Sequence, residues 1–227
     1  MIGDFAPYHE MFAAMFSAVG ADFDYRIVDV LNGEKIPDHD DLEVAVVTGS
    51  AASVYENLEW MAPLREFIRS AHKSSLPLLG ICFGHQIIAD SLGGIVEKSD
   101  KGWGLGRHLY KVGHNNSFTK NLPDELAVPA SHQDQVITAP KGARVFLSSE
   151  FTPNAGLVYD NGTTLSLQPH PEFSVAYASA LAGVRRNNPL SENQVDDAIA
   201  SLKEPLDNNH VATMLAGFLA EAEKIRK

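Results

Sequence analysis

The chain is poor in cysteine. Cys82 is the single one in 227 residues, which rules out an intrachain disulfide and suits a reducing compartment. Basic residues are also scarce: 18 Lys and Arg stand against 29 Asp and Glu, for a formal net charge of −11. That balance argues against a nucleic-acid or anionic-membrane partner, since both reward clustered Lys and Arg. No apolar run approaches the roughly 18 residues of a transmembrane helix, and Met1-Ile2-Gly3-Asp4 has neither the basic nor the apolar region of a signal peptide. A cytoplasmic protein is the expectation. A Walker loop is missing, as is any group of His, Cys and carboxylates at metal-ligand spacing. Neither a metal nor a cofactor is therefore expected.

What is present reads as one globular α/β domain over residues 1–227, with a catalytic core of about 24–185 and C-terminal helices of about 190–227. Met11, Phe12, Met15, Phe16 and Val19 repeat at helical spacing before Gly20. Tyr25–Leu31 reads as a strand ending at the turn Asn32-Gly33. Val44–Thr48 and Leu76–Ile81 are short apolar runs suited to buried parallel strands, with helices over Trp60–Lys73 and Phe83–Leu92. Short strands with glycine-rich turns follow over Ile95–Val112 and Val145–Gln168, including Asn161-Gly162. Helices close the chain at Val175–Arg185, Glu192–Leu202 and Val211–Ile225, punctuated by Pro189 and Pro205. Early alternation of strand and helix implies a parallel sheet covered on both faces. One feature does not fit: the first helix begins almost at once, and Met1–Asp4 cannot supply the strand that usually feeds it. Either the start has been lost, or the sheet lacks a strand and shows a gap where one would pair.

Gly80-Ile81-Cys82-Phe83-Gly84-His85-Gln86 has the form Gly-x-Cys-x-Gly between a buried strand and a helix. This is a nucleophile elbow with sulfur in place of a serine hydroxyl. The turn lifts the side chain to the carboxyl end of the sheet, where doubly wound folds bind ligands, and sets it at a helix N-terminus. A lone cysteine is more often a small core residue; the strand–turn–helix context reverses that reading.

A cysteine nucleophile needs a histidine base, and the imidazolium needs an orienting carboxylate. Gln168-Pro169-His170-Pro171-Glu172-Phe173 follows the last predicted strand. Pro171 disfavours helix at His170, and in extended backbone residues two apart project to one side. His170 and Glu172 can therefore lie together facing Cys82. Alone, this stretch could be a proline-rich strand exit with exposed side chains.

The two motifs together resemble the class I glutamine amidotransferases, in the branch similar to the glutaminase part of GMP synthase. The resemblance covers nearly the whole chain. It implies a flavodoxin-like, doubly wound α/β fold with a mostly parallel central sheet and a small antiparallel excursion between about residues 95 and 128. It also implies hydrolysis of the glutamine side-chain amide through a γ-glutamyl thioester, releasing ammonia. An oxyanion needs two donors. The N–H of Phe83 is one by the geometry of the elbow, and the amide of Ser50 is carried over from the family's turn. In Gly49-Ser50-Ala51-Ala52-Ser53-Val54-Tyr55, Ser50 departs from that turn's second glycine and Ala51 from its proline. Gly49 borders the same pocket. Gln86, one helical turn after Cys82, would face the substrate, or else be a plain exposed helix residue. His132, in Ser131-His132-Gln133-Asp134-Gln135-Val136, borders the substrate's amino-acid end by resemblance. It could also be a second base, or part of a structural loop closed by Asp134.

Gly102-Trp103-Gly104-Leu105-Gly106 is expected to be a hairpin turn rather than a nucleotide loop, because it does not join a strand to a helix. Arg185-Arg186 reads as a solvated helix end or a docking patch. With no synthase domain in the sequence, ammonia would go to a separate synthase subunit. The alternative is a stand-alone γ-glutamyl peptidase, which the Cys elbow, the Gly-Trp-Gly-Leu-Gly stretch and His-Gln-Asp-Gln also resemble. Trp103 and Tyr55 would then wall a pocket for a larger leaving group. A non-catalytic regulatory relative is the third reading; it would be marked by loss of a catalytic residue, and all three are present.

Overall fold

The structure, a computed structural model, describes residues 2–114 and 116–226. The chain enters through a 3-10 turn, Ile2–Asp4, and goes directly into helix α1 (Tyr8–Ser17), which buries Phe12, Met15 and Phe16. Strand β1 (Ala45–Val47), helix α2 (Met61–Lys73), strand β2 (Leu78–Ile81) and helix α3 (Phe83–Ser91) follow. Six further strands come next: β3 (Ile95–Lys98), β4 (Gly104–Val112), β5 (Glu125–His132), β6 (Asp134–Thr138), β7 (Ala143–Ser148) and β8 (Gly156–Tyr159). Strand β9 (Thr164–Leu167) leads to helices α4 (Val175–Val184), α5 (Glu192–Ser201) and α6 (Asn208–Arg226). None of the described helices is long and apolar enough to cross a membrane.

The main sheet has the order β1-β2-β9-β8-β7-β4-β5, and β3 pairs with β6 in a separate ribbon. The fold is the expected flavodoxin-like α/β one, but its sheet is mixed rather than mostly parallel: among the described strands two pairings of the main sheet are parallel and four antiparallel. Its parallel ladder is concentrated in β1, β2 and β9, and antiparallel strands extend the same sheet. Alternation along β2 divides its side chains between two layers. Leu79 and Ile81 join Phe12 and Phe16 of α1 and Leu215 and Phe218 of α6. Leu78 joins Leu64 and Ile68 of α2 and Ile87 and Ile88 of α3. Each such side chain contributes about 1.5–3 kcal/mol on burial, so β2 is clamped from both faces and its carboxyl end is held firmly.

Three expectations are corrected. Tyr25–Leu31 is not a strand: the segment forms no ladder, and Val30–Asn32 is a 3-10 turn. Its apolar side chains stay substantially exposed, Ile27 at 46% and Leu31 at 61%. A cleft of about 880 Å³ lies between it and β1. Second, the stretch Gly102–Gly106 is no hairpin turn, because it carries the chain from the β3–β6 ribbon into β4 of the main sheet. Third, residues 125–138, to which no strand was assigned and in which residues 131–136 could have been a structural loop, form two strands; Pro129 within β5 and the lack of strict alternation hid them. The described start has no strand before α1, as expected.

Candidate active site

Cys82 sits on the turn from β2 to α3 with φ +54° and ψ −104°, a left-handed backbone costly for any residue with a side chain. The surroundings hold it there: its N–H donates to the Leu167 carbonyl at 2.8 Å, and its carbonyl accepts from Gln86 at 3.0 Å. The flanking glycines are required by close approach. A side chain at Gly84 would collide with the Val47 carbonyl, and one at Gly80 would lie 2.6 Å from the backbone of Gly84. The tight strand–helix junction therefore turns Cys82 outward at the carboxyl end of the sheet. The residue is 6% exposed.

His170 and Glu172 lie at the exit of β9. Their side chains meet, though by a different backbone from the extended one expected. Residues 170–173 form a turn, with the Phe173 N–H donating to the His170 carbonyl at 3.3 Å. The His170 N–H is fastened to the Pro129 carbonyl of β5 at 2.8 Å, and its ring stacks on Phe173 with centroids 3.9 Å apart. Nδ1 of His170 lies 2.7 Å from Oε1 of Glu172, and both side chains are buried. Burial alone would depress the imidazole pKa. The charges of Cys82 and Glu172, together with hydrogen bonds to both, outweigh it and hold His170 at about 10, well above the ordinary value. Among the described residues Glu172 Oε2 has no hydrogen-bond partner, and the His170 ring on Oε1 is the cation facing this carboxylate.

The turn after β1 closes over the same spot. A Cβ placed on Gly49 would lie 3.2 Å from His170 Cε1, 3.3 Å from Tyr8 Cε2 and 3.8 Å from Cys82 Cβ. Only glycine fits there without displacing a neighbour. Ser50 comes next, its hydroxyl accepting the Ala52 N–H at 3.2 Å. Phe83 opens α3 directly after Cys82 and packs its ring against Trp60.

Gln86 is buried, and its Nε2 donates to the Asp134 carbonyl at 2.9 Å and to Gln168 Oε1 at 3.1 Å. It thus ties α3 to β6 and to the exit of β9. His132 is buried with Nδ1 3.1 Å from the Asp134 carbonyl and Nε2 unpartnered. Burial and the neighbouring His108 lower its pKa to about 3, so it stays neutral beside the raised His170. Tyr55 donates its hydroxyl to Asp134 Oδ1 at 2.9 Å. His85, inside the cysteine motif, shares a 2.8 Å hydrogen bond with Ser166 and is held neutral by full burial, its pKa lowered to about 3. Asp38, His39 and Asp40 bring ligand atoms within 4.8 Å of one another in an exposed turn, a group that sequence spacing did not single out.

Two residues near Cys82 escaped the sequence reading. Tyr8, the first residue of α1, approaches Gly49 and packs its ring edge-on to Tyr177, with centroids 6.2 Å apart; nothing in its local sequence marks it. Arg185 is not a solvated helix end. Its guanidinium lies 4.1 Å above the Trp103 ring, within electrostatic reach of Tyr8, Cys82 and Tyr177, and its Nε has no partner. An Arg at a helix C-terminus with an aromatic glycine-rich loop elsewhere is too common a pair to signal this contact.

Cys82 on its strand-to-helix turn and the buried His170–Glu172 pair thus meet around Gly49 at one end of the sheet. The chain belongs to the family "Glutamine amidotransferase class-I", whose model matches residues 6–179. It is 32% identical to γ-glutamyl peptidase 4 of Arabidopsis thaliana, over 74% of this chain and 68% of that protein. It is 30% identical to the glutamine-hydrolyzing GMP synthase of Thermosipho africanus, over 76% of this chain but only 34% of the synthase. A glutamine amidotransferase from Thermotoga maritima superposes with a TM-score of 0.72 at 24% identity, covering 96% of this chain and 92% of that one.

Proposed function

We propose that the chain hydrolyses the side-chain amide of glutamine through a γ-glutamyl thioester, as one catalytic domain. The observation that carries this reading is the buried His170–Glu172 pair turned toward Cys82 on its left-handed turn. The Cys82 sulfur attacks the amide carbon, and the developing oxyanion is received by the N–H groups of Ser50 and Phe83. His170, protonated and steadied by Glu172, gives its proton to the leaving nitrogen, and ammonia departs. The same imidazole then takes a proton from water, which attacks the thioester; glutamate leaves and the thiol is restored. Gly49, Gln86 and His132 shape the pocket for the amino-acid end. The ammonia would pass to a separate synthase subunit docked at the carboxyl end of the sheet. No step needs a metal or cofactor.

A second reading, a stand-alone γ-glutamyl peptidase, is favoured by coverage: the chain spans two thirds of the Arabidopsis peptidase but a third of the GMP synthase. The thioester is common to both, and only the leaving amine differs. Turnover of glutamine and of a γ-glutamyl dipeptide should be measured side by side without a partner protein, with Cys82→Ala as the control. Faster glutamine hydrolysis supports the first reading. Fast dipeptide cleavage with negligible glutaminase activity replaces it with the second. Undiminished activity of Cys82→Ala rejects both.

A further inference from the structure

We infer that Phe173 is a positioning residue for His170: its ring is a flat bed that fixes the plane of the imidazole beside Cys82 and favours the imidazolium over the neutral ring. This role rests on His170 acting as the acid and base of the proposed hydrolysis. The bond from a methylene to a planar ring is a soft torsion with broad, roughly two-fold minima, so the imidazole needs outside restraint. The 2.7 Å contact between its Nδ1 and Glu172 holds one edge. A single edge contact leaves the ring free to tilt about it. The Phe173 face removes that freedom, with centroids 3.9 Å apart and planes 8° from parallel.

The stack is built by local sequence and held by distant elements. Residues 170–173 close a turn with Pro171 at its second position, where the fixed φ of proline suits a β-turn. Such a turn brings its first and fourth residues within about 7 Å, near enough for the two rings to meet. Phe173 cannot retreat from the contact. It is buried, its carbonyl accepts from Asn208 Nδ2 at 2.9 Å, and Tyr177 and Tyr8 wedge its ring with centroids at 4.6 and 5.9 Å.

The angle between the rings also speaks to charge. Two neutral aromatic rings prefer edge-to-face or offset packing to a face-to-face sandwich. Other pairs of this cluster obey that rule: Phe173 meets Tyr177 at 69°, and Tyr177 meets Phe5 and Tyr8 at 80° each. A cation, by contrast, is drawn to the face of a ring, and His170 lies flat on that face. The charged groups around it agree. Cys82 on the β2–α3 turn and Glu172 on the same turn as His170 favour its proton, and His132 of β5 is held neutral and opposes nothing. Behind Phe173, burial raises the pKa of Tyr8 and keeps that phenol uncharged. Arg185 at the end of α4 acts on Cys82, Tyr8 and Tyr177.

The test follows the His170 ring titration by NMR on histidine-labelled protein, with His170→Gln assigning the signal. It compares the parent with Phe173→Leu and Phe173→pentafluorophenylalanine. Leucine keeps apolar bulk and removes the face. The fluorinated ring keeps the shape and reverses the potential of the face, so it decides the matter even where Phe173→Leu fails to fold. Loss of the cation–ring contact should lower the His170 midpoint by roughly 0.4–1.5 pH units in each variant. The alkaline limb of kcat for glutamine should move down with it. In Phe173→Leu, kcat should fall about tenfold while KM changes by less than about threefold. A lower melting midpoint with an unmoved His170 titration in both variants overturns the inference and leaves Phe173 as packing. If the parent hydrolyses neither glutamine nor a γ-glutamyl dipeptide, yet its His170 midpoint falls in both variants, the stack stands and the hydrolysis reading is what fails.

Discussion

His170 Nδ1 and Glu172 Oε1 lie 2.7 Å apart with both side chains buried, and the second carboxylate oxygen has no partner among the described residues. The pair is therefore mutually dependent: the carboxylate orients the ring, and the ring neutralises the carboxylate. Glu172→Gln preserves the shape and removes the charge. We expect kcat to fall by roughly 10²- to 10⁴-fold, the range seen when the orienting carboxylate of a triad is neutralised. Circular dichroism should show the fold retained. A loss below about threefold would mean that Glu172 does not orient the base.

The raised pKa of His170 makes a statement about stability. Its folded value of about 10 lies above the ordinary 6.5, so the folded protein holds a proton that the unfolded chain releases between those limits. This contribution is complete below about pH 6.5 and is lost as pH climbs toward 10. His85 and His132 act in the opposite sense. Both are lowered to about 3 by burial, so their contribution is lost as pH falls from 6.5 toward 3. Each group can tilt stability by at most about 1.4 kcal/mol per pH unit. Denaturant melts across pH 4–10 should show a maximum near pH 6.5. His170→Gln should flatten the alkaline limb relative to the parent, and an unchanged limb would contradict the assignment.

The turn at Cys82 was readable because its Gly-x-Cys-x-Gly pattern is local, although the space that demands glycine at 84 is set by Val47 of the neighbouring strand. His170 and Glu172 were also readable as a pair, although a turn rather than an extended strand brings them together. Contacts spanning the chain were not legible. Tyr8 meets Gly49 and Arg185 meets Trp103 only because α1 and α4 pack at the same end of the sheet. The Tyr25–Leu31 run has strand composition, but a strand exists only if a neighbour supplies the ladder, and none of the described strands pairs with it. Residues 125–138 hid their strands behind Pro129 and a polar hairpin.

Gly49 should be intolerant in a way that separates catalysis from folding. An alanine there would press on His170 at 3.2 Å and Tyr8 at 3.3 Å, distances that force a shift of a few tenths of an ångström. Displacements of this kind at reacting groups are expensive for rate, while the turn itself is not in a left-handed conformation. Gly49→Ala is expected to lower kcat about tenfold or more with a small change in melting midpoint. A large drop in midpoint with normal kcat in the folded fraction would show that Gly49 serves packing alone.

On the proposed glutamine hydrolysis, Arg185 would be a cation near Cys82 open to the substrate's α-carboxylate. It is clamped over Trp103, lies within electrostatic reach of Cys82 and leaves Nε unpartnered. Glutamine and γ-glutamyl peptides with an unmodified glutamyl residue carry a free α-carboxylate, and arginine binds carboxylates through its planar fork of donors. Arg185→Met keeps the stem against Trp103 and removes the charge. We expect KM for glutamine to rise about tenfold to a hundredfold, equivalent to about 1.4–2.8 kcal/mol of lost binding, with kcat changed by less than about threefold. The decisive comparison uses glutamine whose α-carboxylate is blocked as an amide. The parent should lose affinity for this analogue, and Arg185→Met should treat both substrates alike. If the variant still discriminates between them as the parent does, the carboxylate is read elsewhere and Arg185 only supports the Trp103 loop.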